Sequence, residues 1–268
     1  KTPCRAAADY RNAAIFNIDL QFNWRSCNSY QCDAWIFGEF ALPQKVISFV
    51  TMKGGSGKST SAMCLAAHWY KAGVRVALVD ADPAATLVRW IETGDDLNGL
   101  RAAATAPEAV AEQINTLKAD GFQRIIIDTP GFRSLATDDA IRQSDLVLVP
   151  MRPSPVDFQV AADTVELIDQ IVAERATWDG TVRFLMSQTT RGSVIARHMR
   201  AQMEAAGYYP LAVELSSRVV YGEAALAGST PSFYQPRGGA TVDIAAFVTE
   251  GEGLLSGTPG TGTGIKNR

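Results

Sequence analysis

A glycine-rich turn set between an apolar strand and an apolar helix constrains this chain more than any other feature. The run Val46-Ile-Ser-Phe-Val50 leads into Lys53-Gly-Gly-Ser-Gly-Lys-Ser-Thr60, and the residues from Ser61 continue as an apolar helical stretch. Strand, glycine loop and helix in that order form the context in which a phosphate-binding loop is physically credible. Gly54, Gly55 and Gly57, with Ser56 between them, let backbone N–H groups turn inward on phosphate oxygens. A helix starting near Lys58 points its positive end at the same anion. Lys58 is then expected on the β and γ phosphates and Ser59 on Mg2+, with Thr60 closing the segment. A turn that merely joins strand to helix is the alternative, and two lysines, three glycines and Ser59 in register speak against it.

From Lys45 onward short β-branched runs alternate with helical stretches, the pattern of βα units around a parallel sheet. Strands are expected at 45–51, 74–79, 124–128, 146–150, 182–187 and 211–215, mostly as continuous apolar runs of the kind covered on both faces. Helices are expected at 58–72, 107–120, 158–174, 194–206, 221–227 and 241–250, three of them followed by Gly73, Gly121 and Gly207 as terminators. The fold class is therefore α/β, a mostly parallel twisted sheet flanked by helices. Residues 45–250 form the expected domain. Residues 1–44 lack a sustained period and are expected as a poorly ordered extension rather than a partner-binding arm, and the Gly/Thr/Ser-rich residues 251–268 as a flexible tail.

Hydrophobic residues make up 47% of the chain, enough for a buried core, and the net charge is -3. A nucleic acid would have to meet a local basic patch, not the whole surface. No run of 18 apolar residues and no signal-peptide pattern occurs, so a cytoplasmic protein is expected. Cys64 reads as a core residue. Cys27 and Cys32 have no neighbouring His, so a zinc site there would need distant ligands and is not expected.

Three aspartates fall where sheet strands end. Leu78-Val-Asp-Ala-Asp-Pro83 carries Asp80 and Asp82, and Ile125-Ile-Ile-Asp-Thr-Pro-Gly131 carries Asp128. A carboxylate at the end of an apolar strand can reach a Mg2+ held beside a phosphate loop. The loop departs from the general Walker A pattern, with Met52 where that pattern has Gly and a lysine at Lys53. The resulting K-G-G-x-G-K-S run, followed by D-x-D-P and an apolar strand ending in Asp, resembles the ParA/MinD family of ATPases from about residue 45 to 250. The resemblance implies ATP and Mg2+ as cofactors, Asp82 orienting the attacking water, Asp128 holding Mg2+ through a water, and Asp80 supporting that network. Lys53 would reach across to a partner subunit's nucleotide, so that ATP joins a homodimer. Gln188, in Met186-Ser-Gln-Thr189, occupies the place of the family's adenine-side loop, Pro150-Met-Arg-Pro-Ser-Pro155 that of a loop near the dimer interface, and residues 218–233 are similar to the family's C-terminal pattern. Where the family usually has Gln after D-x-D-P, this chain has Ala84 and Ala85, which puts the hydrolysis rate in question.

Within the family, the absence of a basic amphipathic helix in the tail argues against a MinD-type membrane anchor, and no cysteine after Cys64 could hold an iron–sulfur cluster. Compact ParA-like partition proteins, VirC-type conjugal-transfer proteins and carboxysome positioners fit the core length. This implies a cytoplasmic, nucleoid-associated ATPase that partitions plasmid or chromosomal DNA or positions a protein complex. Its partners would be non-specific DNA and an activating ParB-like protein. An ATP-bound DNA scaffold with little hydrolysis is the alternative. DNA contact is expected through Arg191, Arg197, Arg200 and Arg218. On the helix from Val194, the spacing of Ile195, Met199 and Met203 predicts a core face that leaves Arg197 and Arg200 outside. The competing reading has Arg200 paired with Glu204 and the other arginines as solvated charges.

Overall fold

The structure is a computed structural model that describes residues 42–174 and 177–257. The expected extension at 1–44 therefore lies outside the described residues except for its last three, as do Cys4, Cys27 and Cys32 and the end of the tail from 258.

Seven strands pair in the order β3-β2-β4-β1-β5-β6-β7, and every pairing is parallel. They are β1 (Lys45–Phe49), β2 (Val76–Asp80), β3 (Arg101–Ala104), β4 (Arg124–Asp128), β5 (Leu146–Met151), β6 (Thr181–Thr189) and β7 (Pro210–Ser216). Strands β2, β4 and β5 are buried at every residue, which is why they read as unbroken apolar runs. Successive side chains alternate between the faces. Val46, Ala77, Val79, Ile125 and Ile127 pack on α3 (Val110–Ala119) and α4 (Leu135–Gln143). Val147, Val149 and Met151 pack with residues of α5 (Pro155–Ala173) and α6 (Val194–Ala205). On the opposite face Phe49 meets Phe247 of α9 (Gly239–Leu255) edge to face at 6.4 Å, and α1 (Lys58–Lys71) lies beside α9.

Several elements differ from expectation. Strand β3 escaped the sequence pattern because it is the short edge strand Arg-Ala-Ala-Ala, half exposed and without β-branched residues. Helices α2 (Thr86–Glu92) and α4 were also unexpected; both are under ten residues, too short for a helical period to stand out. The helix expected from Pro107 opens as a 3-10 turn (Pro107–Ala109) before α3. Helix α5 starts at Pro155, not Phe158: Ser154 caps it by accepting from the Asp157 amide at 3.1 Å, and Pro155 takes the first turn where no N–H is missed. Helix α9 runs to Leu255, so residues 251–255 belong to it and not to the tail. Two short helices, α7 (Val220–Leu226) and α8 (Pro231–Tyr234), connect β7 to α9. No helix among the described residues is long and apolar enough to cross a membrane.

Candidate functional site

The chain reverses its direction of strand addition at β1, whose neighbours are β4 and β5. The crevice at the carboxyl ends of the strands on either side of such a switch point is where an open parallel sheet presents a binding site. The segment Lys53–Thr60 leaves β1 at that point. Gly57 sits at φ 94 and precedes α1 without any side-chain cap, so the first amides of α1 are left for an external acceptor. A side chain at Gly57 would also crowd Ser187 Oγ at 3.2 Å. Lys58 is 6% exposed and folds back to donate to the Lys53 carbonyl at 2.9 Å, closing the loop on itself. Burial lowers its pKa, while the charges of Asp128 and Asp82 oppose that shift.

The two neighbouring strands deliver the carboxylates. Asp80 and Asp128 are register partners across β2 and β4, and Asp128 is also in register with Phe49 at the end of β1. The Asp128 carboxyl is pushed up to about 7, chiefly by burial and also by the charges of Asp80 and Asp82, against the nearby Ser59 hydroxyl and Lys58, which pull it down. Neither Asp128 oxygen, nor Oδ1 of Asp80, has an aligned hydrogen-bond partner. Burying unpaired carboxylate oxygens is costly, and a cation is the partner such a pair lacks. Among the described residues no cluster of three or more His, Cys, Asp or Glu could hold a metal alone. That suits Mg2+, which takes most of its ligands from phosphate and water. Ser59, Asp80 and Asp128 fit that ion. Asp82 is more exposed and accepts from the Ala84 amide at 2.8 Å. Gly131, after the Asp128 strand, packs on the loop so closely that a Cβ would lie 2.9 Å from the Gly54 nitrogen.

On the other side of the loop a cavity of about 190 Å³ is lined by Gly57, Thr60, Ser187, Gln188, Ser217 and Tyr221 among others. Gln188 stands at φ 53, uncommon for a residue with a side chain, and its amide donates to the Gly55 carbonyl at 3.2 Å. Ser187 Oγ donates to the Ser56 carbonyl at 2.7 Å. Thus β6 buttresses the loop from the side opposite the aspartates.

Lys53 forms an ion pair with Asp157 at the start of α5, and Arg152 Nε donates to the same carboxylate at 2.7 Å. Burial works to raise the Asp157 pKa, but the hydrogen bonds and charges of Arg152 and Lys53 win and hold it below the usual carboxylate range. The sequence reading missed Asp157. The capping pattern Ser154-Pro-Val-Asp157 marks the helix start and could have placed Asp157 in the first turn of α5.

The four arginines expected on one DNA-facing surface separate. Arg191 and Arg197 are exposed. Arg200 is tied to β7, donating to the Leu211 carbonyl at 2.8 Å and to Glu214 at 2.9 Å, so its partner is Glu214 and not Glu204. Arg218 pairs with Asp243 at 3.3 Å and lines the cavity beside the loop. The reason lies in the rotation of α6: its buried residues are Ala196, Met199 and Met203, whereas Ile195 is 42% exposed. Turning the helix that way brings Arg200 to the flank against the edge strand.

Sheet order, loop and strand-end aspartates together define a P-loop NTPase of the ParA/MinD type. The family model of the VirC1 protein matches residues 44–206, and the chain belongs to that family. Protein ParA of Rhizobium radiobacter is 35% identical over 124 residues, covering 46% of this chain and 55% of that protein. The chain thus matches little more than half the length of that relative. Maintenance of carboxysome distribution protein A of Halothiobacillus neapolitanus is 27% identical over 203 residues, 74% of this chain and 91% of the relative. In fold, the septum site-determining protein MinD of Pyrococcus horikoshii, solved in complex with Mg-ADP, superposes with a TM-score of 0.60 at 21% identity, over 80% of this chain and 98% of that one.

Proposed function

We propose that this protein is an ATP-dependent dimerising ATPase that partitions or positions a cargo on non-specific DNA. The observation that carries the reading is the set of unpartnered buried oxygens on Asp128 and Asp80, next to a buried Lys58 and an uncapped helix start. Phosphoryl transfer asks a protein chiefly for positioning and charge stabilisation, and these groups supply both. The amides of Gly54 to Ser59 cradle the phosphates, Lys58 neutralises the β and γ groups, and Ser59, Asp80 and Asp128 hold Mg2+. Bound there, Mg2+ would offset the charge that develops on the phosphate oxygens. Asp82, the most exposed of the three aspartates, orients the attacking water. Gln188 and the cavity beside it receive the base.

Lys53 serves the partner subunit's nucleotide. To do so it must leave Asp157, and Arg152 remains to neutralise that carboxylate. The relative named for carboxysome distribution supports a positioning role. Of the four arginines expected on DNA, Arg191 and Arg197, both exposed, are the proposed phosphate contacts, and a ParB-like activator is the proposed partner.

A second reading, an ATP-bound scaffold with little turnover, is favoured by Ala84 and Ala85. They offer no polar side chain beside Asp82, and Ala85 holds a left-handed φ of 46. A steady-state ATPase assay with and without duplex DNA and a candidate partner separates the two. Turnover that DNA and partner raise supports the first reading; binding of ATP with no turnover under any of these conditions supports the second.

A further inference from the structure

We infer that Asp80 is a positioning residue whose carboxylate fixes helix α2 to the triphosphate site and, through α2, couples that site to the base-side helix α7. Helix α2 begins at Thr86, and Ala85 just before it has no side chain able to cap it. The orphan amides of its first turn are satisfied from a distance: Asp80 Oδ2, at the end of β2, accepts from Leu87 N at 2.8 Å and Val88 N at 3.3 Å. A helix start is normally capped by the residue just before it, so a strand-borne carboxylate in that role ties the helix to the strand. The other oxygen, Oδ1, is buried without an aligned partner, and the residue in register with Asp80 is Asp128. One carboxylate thus holds the helix by one oxygen, keeps the other unpartnered, and stands in register with Asp128.

The far end of α2 is pinned as firmly. Trp90 Nε1 donates to the Ser229 carbonyl at 2.9 Å. A Cβ on Gly94 would lie 2.2 Å from the Ala227 carbonyl oxygen, and one on Gly228 would lie 2.1 Å from the Gly94 nitrogen, so the two backbones touch where no side chain fits. Those residues end α7, which starts just after Arg218 and carries Tyr221 on the cavity wall. The segments that follow the two helices thus meet at Gly94 and Gly228. A displacement of Asp80 that follows occupation of the triphosphate side therefore moves both, by way of a chain of discrete contacts.

The coupling rests on the nucleotide reading proposed above, while the capping role does not. Hydrogen exchange on the full chain tests each. Without nucleotide, Asp80→Ala should speed exchange at Leu87 and Val88 by about tenfold, the loss expected when a helix start loses its acceptor. Asp80→Asn keeps an acceptor, so protection there should stay within about twofold of the parent by the same reasoning. It alters the oxygen that does not cap the helix, so at Mg-ATP concentrations where calorimetry shows the variant loaded, the response of residues 86–92 and 220–229 should disappear. Trp90→Phe should keep the response at 86–92 and halve or abolish it at 220–229. Unchanged exchange at Leu87 and Val88 in Asp80→Ala, or a full response of both segments in Asp80→Asn, overturns the inference. Should Asp80→Ala fail to fold, the other two variants decide. A parent that binds no Mg-ATP in calorimetry would sink the nucleotide reading and the coupling with it, and the unloaded comparison would still decide the cap.

Discussion

The phosphate loop and the outer face of α6 were both read from residue spacing, and they came out differently. In the loop, Gly57 at φ 94, the fold-back of Lys58 and the arrival of Asp80 and Asp128 follow from local backbone geometry and from strand register. On α6, one step in helical phase moved Ile195 out, brought Ala196 in, and gave Arg200 to Glu214 and the β7 carbonyls. A function built on backbone conformation and strand ends is specified locally. One built on which long side chains stay free depends on neighbours far away in sequence.

The largest contrast should come from the loop itself. Lys58→Ala removes the buried ammonium proposed to meet the β and γ phosphates, so ATP affinity should fall by about 100-fold or more, the range for truncating one partner of a buried charge pair between protein and ligand. Calorimetric titration measures it, and binding within a few-fold of the parent would remove the loop's privileged standing. A comparable effect on stability should distinguish the two sides of α6. Met199→Ala, with Met199 at 1% exposure, should cost about 2–5 kcal/mol. Ile195→Ala should stay within about 0.5 kcal/mol as a surface change. Chemical denaturation gives both values, and a core-sized cost at both positions would restore the rotation expected from spacing.

The smallest effects should separate the arginines. Arg200→Ala loses a charged hydrogen bond to Glu214 and should cost about 1.5 kcal/mol of stability with little change in DNA affinity. Changing Arg191 and Arg197 together to Ala should leave stability alone. It should lower duplex affinity and make log affinity fall less steeply with log salt, the slope shrinking by about one for each DNA phosphate that is no longer neutralised. Equal effects of Arg200 and Arg197 on DNA binding would return the surface to its original definition.

What the sequence made legible follows the same division. Six of the seven strands were visible because continuous apolar runs bounded by turns have few other readings, and their ends placed Asp80, Asp82 and Asp128. Strand β3 was not, since an edge strand of alanines carries neither hydrophobic run nor alternation. Helix α2 was hidden because its cap is Asp80, six residues before its first turn and on another element, and not a Ser or Asp next to it. Asp157 was overlooked because its role appears only when α5 brings it to Lys53, over a hundred residues away in the chain.

The central claim, that this loop with its extra lysine makes ATP the bond between two copies of the chain, is tested most directly by light scattering with Mg-ATP on three proteins. The parent should move from monomer to dimer mass. Lys53→Ala should bind ATP and remain monomeric, because it supplies no charge to the opposite subunit's phosphates. Asp82→Ala should form the dimer and hold it, since it keeps the phosphate cradle and loses only the water-orienting group. A Lys53→Ala protein that dimerises with ATP as the parent does would contradict the account.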